Sequence, residues 1–381
     1  MAEFDMSLVQ RGARLRRSPF YEATQRYGPR GFTVYNHTLF PISFDDVEAE
    51  YWHLLNHVTL WDVSVERNVE VAGPDGFRFA QLLTSRDLSQ CAVGQGKYVL
   101  ITAPDGGILN DPVMLRLDEN RFWFALADSD ILLYAKGLAA NAGLDVELGE
   151  PDVSPLQVQG PSSKDVVRKL FGEGILDLKY YWFRQADLDG IPVLVTRTGW
   201  TSEVGYEIYL LDSSRGTDLW ERIMAAGEPY QIRPTGPSDI RRIEGGTFNW
   251  GADFNHQNNA YEMGLERLVD LDSGAEFMGS EALRRIRDEG VRRRMVGVEI
   301  DGPPLGFNFS KWPVRADGQE VGTVTSALWS PRLRKNIGFA WVPTERAAHG
   351  TGLEVETEVG PRSATVVPMP FVDPMKEIPK S

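Results

Sequence analysis

Alternating apolar and polar residues predict that much of this chain consists of short strands. The clearest alternation lies between Lys97 and Ala127, where YVLITA, ILNDPVMLRL and RFWFALA are separated by the turn segments PDGG and DEN. This pattern is typical of antiparallel strands joined by tight turns, so we expect an antiparallel meander here. Further strands are predicted at 61–73, 144–149, 155–159, 191–197, 205–211, 294–300, 312–316, 320–327 and 336–342.

Helical periodicity occurs in isolated segments. Within 45–57, the apolar residues Val47, Tyr51, Leu54 and Leu55 recur at the spacing of one helix face. Similar patterns predict helices at 77–84, 129–142, 162–172, 214–226, 238–246 and 279–287. Runs of strands with isolated helices indicate an α+β protein, because a doubly wound sheet would need regular strand–helix–strand repetition.

The length of 381 residues predicts two or three domains, since one hydrophobic core rarely serves so long a chain. The first 40 residues are basic and look irregular. The last sixth is rich in predicted strands and ends in a segment, PMPFVDPMKEIP, that we expect to be extended. We find no internal repeat and no low-complexity segment.

The charge balance argues against nucleic acid and anionic membranes as partners. Asp and Glu number 54 and Lys and Arg 40, which gives a formal net charge of −14. One arginine-rich stretch, 284–294, is interrupted by acidic residues and is interpreted as a solvated surface. No segment resembles a signal core or a membrane span, so the expected setting is cytoplasmic.

The usual motifs for metals and nucleotides are missing. The chain has no G-x-G-x-x-G after a strand, no phosphate-binding loop and no H-E-x-x-H, so neither nicotinamide, flavin nor metal is expected. His53 and His57 could share a helix face, but no third ligand is evident nearby. The single cysteine, Cys91, cannot form a disulfide within the chain and is interpreted as a small buried residue.

Three turn-rich segments combine aromatic and acidic residues. Tyr98 and Asp111 lie on consecutive predicted strands of one hairpin, which lets both side chains reach the same end of a sheet. Trp200, Glu207 and Tyr209 flank a turn that contains two glycines, and Glu207 and Tyr209 share one face of a strand. The third segment runs from 240 to 253.

A strand carboxylate beside aromatic side chains suits a flat heterocycle, because it can accept two parallel hydrogen bonds from an amino-pyrimidinone edge. Ordinary structural roles compete with this interpretation. Glu207 could be an exposed strand residue, Asp111 a hairpin residue near a turn, and the aromatic residues part of the core. Spacing alone leaves these alternatives open.

The same segments resemble the folate-dependent aminomethyltransferase family, which comprises the T-protein of the glycine cleavage system and its relatives. The matching segments occur in order over almost the whole chain: WDVS (61–64), GGILND (106–111), QVQGP (157–161), TGWTSEVGYEIYL (198–210), DIRRIE (239–244) and TSALWSP (325–331). Each is weak alone, but together they are highly specific.

This resemblance implies a three-domain α+β cloverleaf around a central channel that holds tetrahydrofolate as co-substrate. The domains expected from it are a discontinuous folate-binding core at 1–60 and 148–285, an antiparallel α+β domain at 61–147 and a β-rich, barrel-like domain at 286–381. The family pattern further implies that Tyr98, Asp111, Trp200 and Glu207 line the folate site. Glu207 would hold the pterin edge, with Asp111 near the reacting nitrogens as the catalytic residue.

Within the family, other segments most resemble enzymes that demethylate a sulfonium: TVYNHTLFP, LWDVSVERNVEV, TSRDLS, GGILNDPV and ADSDI. This implies methyl transfer from a small sulfonium donor to nitrogen 5 of tetrahydrofolate, releasing a thioether. The sulfur leaves as a neutral group, so no acid, metal or redox cofactor is needed. Aromatic faces would hold the cation, with Trp200 and Tyr209 as candidates and Tyr35 and Trp182 as outside choices.

Two departures from the family pattern weigh against aminomethyl transfer. Asn110 stands where the family carries the first of two aspartates, and Ser238 stands where it carries an arginine. O- or N-methyl donors, a T-protein activity with a lipoyl carrier, and a non-catalytic folate-binding role remain alternatives, as does a homodimer. Whether Asp111 is a base or only positions folate is also open. For the folate tail we expect Arg332, Arg334 and Lys335.

Overall fold

The computed structural model describes residues 15–381 and confirms the α+β class. Its strands form separate sheets and a closed barrel. Within the described residues the α-helices are Tyr21–Gln25, Val47–Asn56, Gly76–Leu83, Ile131–Ala142, Ser163–Phe171, Gly216–Gly227, Asp239–Glu244, Ser280–Glu289 and Glu377–Lys380. Short 3₁₀ helices lie at Glu173–Asp177, Ser213–Arg215, Glu228–Tyr230, Glu266–Leu268 and Thr344–Arg346.

A six-stranded sheet forms the first layer. Its strands, in spatial order, are Phe183–Asp187, Pro192–Thr196, Gly205–Leu210, Ser154–Gln159, Thr59–Asp62 and Arg233–Pro234. All neighbours are antiparallel except the last pair. Apolar residues on one face, such as Tyr206 and Ile208, pack with Trp220 of the helix Gly216–Gly227 into one buried cluster, which is the arrangement expected when a sheet must cover its apolar face.

A five-stranded antiparallel sheet forms the second layer. Its spatial order is Glu147–Gly149, Asn68–Ala72, Arg121–Ala125, Val113–Asp118 and Gly96–Tyr98. The helices Gly76–Leu83 and Ile131–Ala142 share its buried cluster, with Phe79 and Phe122 among the fully buried side chains. A separate two-stranded hairpin, Ile101–Thr102 with Ile108–Asn110, extends this region.

The C-terminal part closes into a six-stranded barrel. Its strands, in order around the barrel, are Arg293–Ile300, Lys335–Pro343, Gln319–Ser330, Trp312–Ala316, Gly352–Thr357 and Gly360–Val367. Alternating residues such as Val298, Val314 and Val355 fill its interior, as the two-residue period of a strand requires. The limits of the three domains stay predictions; the limit at residue 61 falls within the strand Thr59–Asp62.

The N-terminal prediction of an irregular segment was wrong for the described residues. Arg16–Arg17, Gly31–Tyr35 and Thr38–Ser43 form a three-stranded sheet, and Tyr21–Gln25 is a short helix. The residues from 1 to 14 lie outside the described part, so the prediction is not tested there. At the other end, the segment expected to be extended contains the short helix Glu377–Lys380.

Two predicted strands are each divided, and both divisions bear on the site. The segment 61–73 forms two strands separated by a turn at 64–66, where Asp62 accepts a hydrogen bond from the backbone N–H of Ser64 at 3.1 Å. ILNDPVMLRL is interrupted at Asp111 and Pro112, since proline has no N–H to donate to a neighbouring strand. Glu66 lies in the turn that interrupts the first segment, and Asp111 lies at the break in the second segment.

A buried polar joint connects the barrel to the rest of the chain. Asp253 accepts hydrogen bonds from Arg242 at 2.8 Å, from Thr325 at 2.8 Å and from Ser326 at 2.6 Å. Arg242 and Asp253 are both almost completely buried. The DIRRIE and TSALWSP segments therefore meet as a structural contact that fixes the barrel against the sheets. No helix in residues 15–381 is both long and apolar enough to cross a membrane.

Candidate active site

A cavity of about 1840 Å³ lies where the sheets and the barrel meet. Its wall takes Trp61 from the six-stranded sheet, Tyr98 from the five-stranded sheet and Trp329 from the barrel. Sites for small ligands usually have volumes of about 300–1,000 Å³, so this cavity has room for two substrates side by side.

Tyr98 and Asp111 meet in this cavity. Tyr98 ends the strand Gly96–Tyr98, whose partner strand Val113–Asp118 begins two residues after Asp111. The Tyr98 hydroxyl donates a 2.8 Å hydrogen bond to Oδ2 of Asp111. The two residues are thus brought together as predicted, although Asp111 lies between two strands and not within one.

Asp111 is poised to exchange a proton near neutral pH. Burial raises its pKa from 3.8 to about 7, and the hydrogen bond from Tyr98 opposes this rise. No Lys, Arg or His within residues 15–381 forms an ion pair with Asp111. Because the Tyr98 hydroxyl occupies Oδ2, the Oδ1 atom is the oxygen left for a ligand.

Glu207 lies behind the cavity wall and is only 3% exposed. Its Oε1 accepts a hydrogen bond from Gln157 at 2.7 Å, and its Oε2 accepts one from Thr198 at 2.5 Å. Longer bonds come from Tyr209 at 3.1 Å and Thr196 at 3.3 Å. Burial raises the pKa of Glu207, and these hydrogen bonds oppose the rise. A ligand would reach this carboxylate by replacing one of the longer bonds.

Two glycines, Gly199 and Gly205, leave space for the side chain of Gln159, which lies beside the strand that carries Glu207. A Cβ atom on Gly199 would lie 2.2 Å from Oε1 of Gln159, and one on Gly205 would lie 2.4 Å from its Cδ. The Gln159 side chain in turn donates to the carbonyl oxygens of Thr198 and Tyr206. The turn between the two glycines can therefore close over Gln159 only because both side chains are absent.

Glu66 is a cavity residue that the sequence analysis missed. It lies on the turn between the strands Thr59–Asp62 and Asn68–Ala72 and lines the cavity. Burial, followed by the charges of Glu207 and Asp111, raises its pKa well above the usual value. The only signal in the sequence was its place in LWDVSVERNVEV, a segment used for the resemblance without singling out its charged residue.

Aromatic faces line the cavity beside these carboxylates. Trp61 and Trp200 lie with ring centroids 5.8 Å apart at an interplanar angle of 58°. Tyr35 and Phe40 belong to the same apolar cluster, and all four residues line the cavity. Burial, followed by the charges of Asp111 and Glu66, raises the pKa of Tyr35. The structure thus brings Tyr35, Trp200 and Asp111 into one wall.

Two of the aromatic residues predicted to hold the substrate lie elsewhere. Tyr209 is fully buried, packs in an apolar cluster with Leu115 and Trp123, and bonds to Glu207. The indole of Trp182 does not line the cavity, and its backbone bridges to Gln95. Both residues support the wall from outside, so the structure gives neither of them a contact with a ligand in the cavity.

The cations predicted for the folate tail are also placed away from the cavity. Arg332 lies 3.8 Å from Glu203, Lys335 pairs with Glu299 at 2.7 Å, and neither lines the cavity. Arg334 is exposed at a turn. Within the described residues the cavity is instead lined by these basic residues: Arg86, Lys97, Arg267, Arg294, Lys376 and Lys380. Desolvation lowers the pKa of Lys376 to about 8.

The two departures from the family pattern have clear structural roles. The Asn110 amide group donates to the carbonyl of Ala127 at 2.9 Å and to the Ser129 hydroxyl at 2.8 Å. Its carbonyl accepts the Ala127 N–H at 3.0 Å, and the residue is fully buried. Ser238 caps the helix Asp239–Glu244. Both side chains are used within the protein.

The histidine pair and the cysteine take no part in the cavity. His53 and His57 lie side by side with ring centroids 4.8 Å apart, and His53 hydrogen-bonds to the carbonyl of Gln231. Cys91 is buried among apolar side chains. In residues 15–381 no group of three or more His, Cys, Asp or Glu side chains is placed to hold a metal ion.

Family models match both parts of the chain. The GCVT N-terminal domain matches residues 4–273, and the glycine cleavage T-protein C-terminal barrel domain matches residues 293–373. The chain therefore belongs to the glycine cleavage T-protein family, as the sequence motifs predicted.

Two relatives match the chain over almost its whole length. It is 39% identical over 363 residues to the dimethylsulfoniopropionate demethylase DmdA of Ruegeria pomeroyi, covering 95% of this chain and 98% of that protein. It is 30% identical over 363 residues to the aminomethyltransferase of Caldanaerobacter subterraneus, covering 94% of this chain and 96% of that protein.

A solved structure agrees with the fold. The glycine cleavage system aminomethyltransferase T from Bartonella henselae superposes with a TM-score of 0.85, covering 94% of this chain and 99% of that chain at 23% identity. At this identity the likeness concerns the fold, and it confirms the predicted T-protein type.

Proposed function

We propose that this chain transfers a methyl group from dimethylsulfoniopropionate to nitrogen 5 of tetrahydrofolate. The products are methylmercaptopropionate and 5-methyltetrahydrofolate. Membership of the T-protein family and the two named relatives support an enzyme that carries out folate-dependent one-carbon transfer. The methyl donor and the roles of individual residues are the finer part of the proposal.

One observation carries the choice of donor. The cavity wall joins carboxylates that have no basic partner to the faces of Trp61, Trp200 and Tyr35. Acidic groups beside aromatic faces stabilise a positively charged ligand, and a desolvated cation–π contact contributes about 2 kcal/mol. A sulfonium carries this charge on the sulfur atom that holds the methyl group.

The transfer step is an in-line displacement, in which nitrogen 5, the methyl carbon and the sulfur lie on one line. The electron pair of nitrogen 5 forms the new N–C bond while the C–S bond breaks, and its electrons stay on sulfur, which leaves as a neutral thioether. The main task of the protein is to align the three atoms. Such alignment supplies roughly 7–11 kcal/mol of barrier reduction in favourable intramolecular cases.

Asp111 receives the proton that nitrogen 5 must lose. Its Oδ1 atom is unoccupied by other side chains, and a pKa of about 7 lets the carboxylate accept a proton and release it to solvent. Glu207 anchors the amino-pyrimidinone edge through charge-assisted hydrogen bonds, by replacing the Tyr209 or Thr196 bond. Basic residues such as Lys97 and Arg267 face the carboxylates of the substrates.

An O- or N-methyl donor is the second candidate, and the pKa of Asp111 is the observation that favours it. Without a proton on the leaving atom, a methyl ether would expel an alkoxide and a tertiary N-methyl amine would expel an amide anion, and both are poor leaving groups. A carboxyl group with a pKa of about 7 is partly protonated at neutral pH and could supply that proton.

The test is to incubate the purified chain with tetrahydrofolate and dimethylsulfoniopropionate and to measure both products. Equal amounts of 5-methyltetrahydrofolate and thioether support the proposal. Parallel reactions contain a methyl ether, an N-methyl amino acid or a lipoyl carrier with glycine-derived aminomethyl groups. Turnover with one of these alone would replace the proposed donor, and folate binding without turnover of any donor would indicate a binding protein.

A further inference from the structure

The position of Glu66 is fixed by the turn that carries it. Asp62 accepts a bond from the Ser18 hydroxyl at 2.5 Å and one from the Ser64 N–H at 3.1 Å. The Glu66 N–H donates to the carbonyl of Val63 at 2.9 Å. Val63 is almost completely buried in the wall. The turn therefore holds the Glu66 backbone rigidly at the edge of the cavity.

The side chain of Glu66 has no partner. In the described part of the chain its carboxylate accepts no side-chain or backbone hydrogen bond and forms no ion pair. Asp111 and Glu207, by contrast, accept hydrogen bonds from Tyr98 and from Gln157. A carboxylate left without partners in a partly buried wall costs free energy unless a ligand supplies the compensating charge.

The surroundings of Glu66 show what kind of ligand fits. After burial, the charges of Glu207 and Asp111, which are also acidic, raise the pKa of Glu66, and after burial and Asp111, the charge of Glu66 in turn raises the pKa of Tyr35. Glu66, Asp111 and Tyr35 all line the cavity. Tyr35 belongs to the aromatic cluster of Trp61 and Trp200. Burial and the neighbouring acidic charges disfavour the ionised form of Glu66, which raises its pKa. A compact cation would supply the missing opposite charge and stabilise the carboxylate, so it is the group that fits best.

We propose that Glu66 is a specificity-determining residue that holds the positive charge of the methyl donor between the aromatic wall and Asp111. The inference rests on the proposed function and deepens it, because it assigns the donor's charge to one side chain. The methyl group must reach a nitrogen beside Asp111, so the donor's charged atom must lie within about one methyl group of that nitrogen. Glu66 is the unpartnered carboxylate on this side of the wall.

The experiment compares two ligands of equal shape that differ in charge at the position of the sulfonium, and product analysis checks that neither loses a methyl group during the measurement. One is 3-(trimethylammonio)propionate, which is cationic at the position of the sulfonium, and the other is 4,4-dimethylpentanoate, which is neutral there. Dissociation constants are measured with the full chain saturated with tetrahydrofolate. The wild type should bind the cationic ligand at least about 10-fold more tightly, as expected for a charge-assisted contact.

In Glu66→Gln this preference should fall to about 2-fold or less, and in Glu66→Asp it should be partly retained. Glu48→Gln is the matched control, because Glu48 is an exposed carboxylate at the cavity rim and the change removes the same charge. The control should keep the wild-type preference. Folate affinity of Glu66→Gln should equal that of the wild type, and its melting temperature without ligand should be equal or higher, since the change removes a carboxyl group whose ionised form is disfavoured by burial.

Two results would overturn the inference while the proposed function stands: an unchanged preference in Glu66→Gln with demethylation intact, or weaker folate binding with the preference unchanged. The second result would assign Glu66 to the pterin. If the wild type shows no preference for the cationic ligand and makes no methylated folate from dimethylsulfoniopropionate, the proposed function fails together with the inference.

Discussion

The hydroxyl of Tyr98 donates a 2.8 Å hydrogen bond to Asp111 across the gap between two strands, and this contact lowers the proton affinity of the buried carboxylate. Burial raises the pKa of Asp111 to about 7, and the Tyr98 hydroxyl limits that rise by stabilising the ionised form. One hydrogen bond thus tunes the group that we propose as proton acceptor.

Removal of the Tyr98 hydroxyl should shift the pH dependence of turnover. With Asp111 as base, the rate should rise with pH through an apparent pKa near 7. In Tyr98→Phe the Asp111 pKa loses the contribution that lowers it, so this acid limb should move to higher pH by about one unit. Initial rates of 5-methyltetrahydrofolate formation between pH 5.5 and 9 provide the measurement. A limb that stays in place, or moves to lower pH, contradicts the assignment.

Replacement of Asp111 should change stability with a definite sign. The folded-state pKa of about 7 exceeds the usual aspartate value of 3.8, so between these values the unfolded chain loses a proton that the folded chain keeps. The contribution of Asp111 to stability is thus full below pH 4 and is lost as pH rises through 7. Asp111→Asn should melt about 1–4 °C above the wild type at pH 8, with a smaller difference at pH 5.

The same variant separates stability from activity. Asp111→Asn keeps an oxygen that can accept the Tyr98 hydroxyl but cannot take up a proton, so its turnover should fall by about 10²-fold or more. Calorimetry at pH 5 and pH 8 gives the melting temperatures, and initial rates at pH 8 give the turnover. The gain in melting temperature of the variant over the wild type should be larger at pH 8 than at pH 5. A smaller gain at pH 8 would show that burial of the ionised Asp111 carboxylate does not destabilise the fold.

Replacement of Glu207 should act mainly on folate. Glu207→Gln keeps the size of the side chain and removes the charge that strengthens its hydrogen bonds, so tetrahydrofolate should bind about 10-fold more weakly or worse. Glu320→Gln, a change of the same charge on the exposed surface of the barrel, should have no effect. Equilibrium binding monitored by protein fluorescence tests this. An unchanged folate affinity would remove Glu207 from its proposed role.

Asn110 cannot be exchanged for the aspartate of the family pattern without cost. Asn110→Asp would remove the two N–H donors that bind Ala127 and Ser129, and would bury a charge in their place. We expect a loss of about 1–3 kcal/mol in the free energy of unfolding and no gain of aminomethyl transfer. Asn141→Asp, the same change on an exposed helix residue, is the control. Equal denaturation midpoints for both variants would contradict this account.

Much of the fold could be predicted because periodicity and turn residues act locally. The barrel strands 312–316 and 336–342 were predicted to within one residue of their observed limits. The two divided strands were missed because their interruptions depend on hydrogen bonds of Asp62 and on the missing N–H of Pro112, which weigh little against strong alternation. The N-terminal hairpin Gly31–Tyr35 with Thr38–Ser43 was missed because four consecutive residues of its second strand are buried, so the strand shows no alternation.

Cavity residues could be predicted where they belong to a family motif. They could not be predicted where their position depends on packing between segments that are distant in sequence. Of the four residues that the family pattern placed at the folate site, Tyr98, Asp111 and Trp200 line one cavity and Glu207 lies behind its wall; their role in folate binding stays a prediction. Tyr209 was named as an aromatic candidate for the cation, but its ring packs with Leu115 and Trp123 of the five-stranded sheet and its hydroxyl donates to Glu207. Glu66 was missed since nothing in the sequence tells that its carboxylate lacks a partner.

The most direct test of the central claim follows the methyl group itself. The purified chain is mixed with tetrahydrofolate and dimethylsulfoniopropionate that carries ¹³C in its S-methyl groups, and the folate is examined by NMR and mass spectrometry. The account predicts one labelled methyl on nitrogen 5 for each molecule of methylmercaptopropionate released. Unlabelled folate after complete release of the thioether, or no release at all, would contradict it.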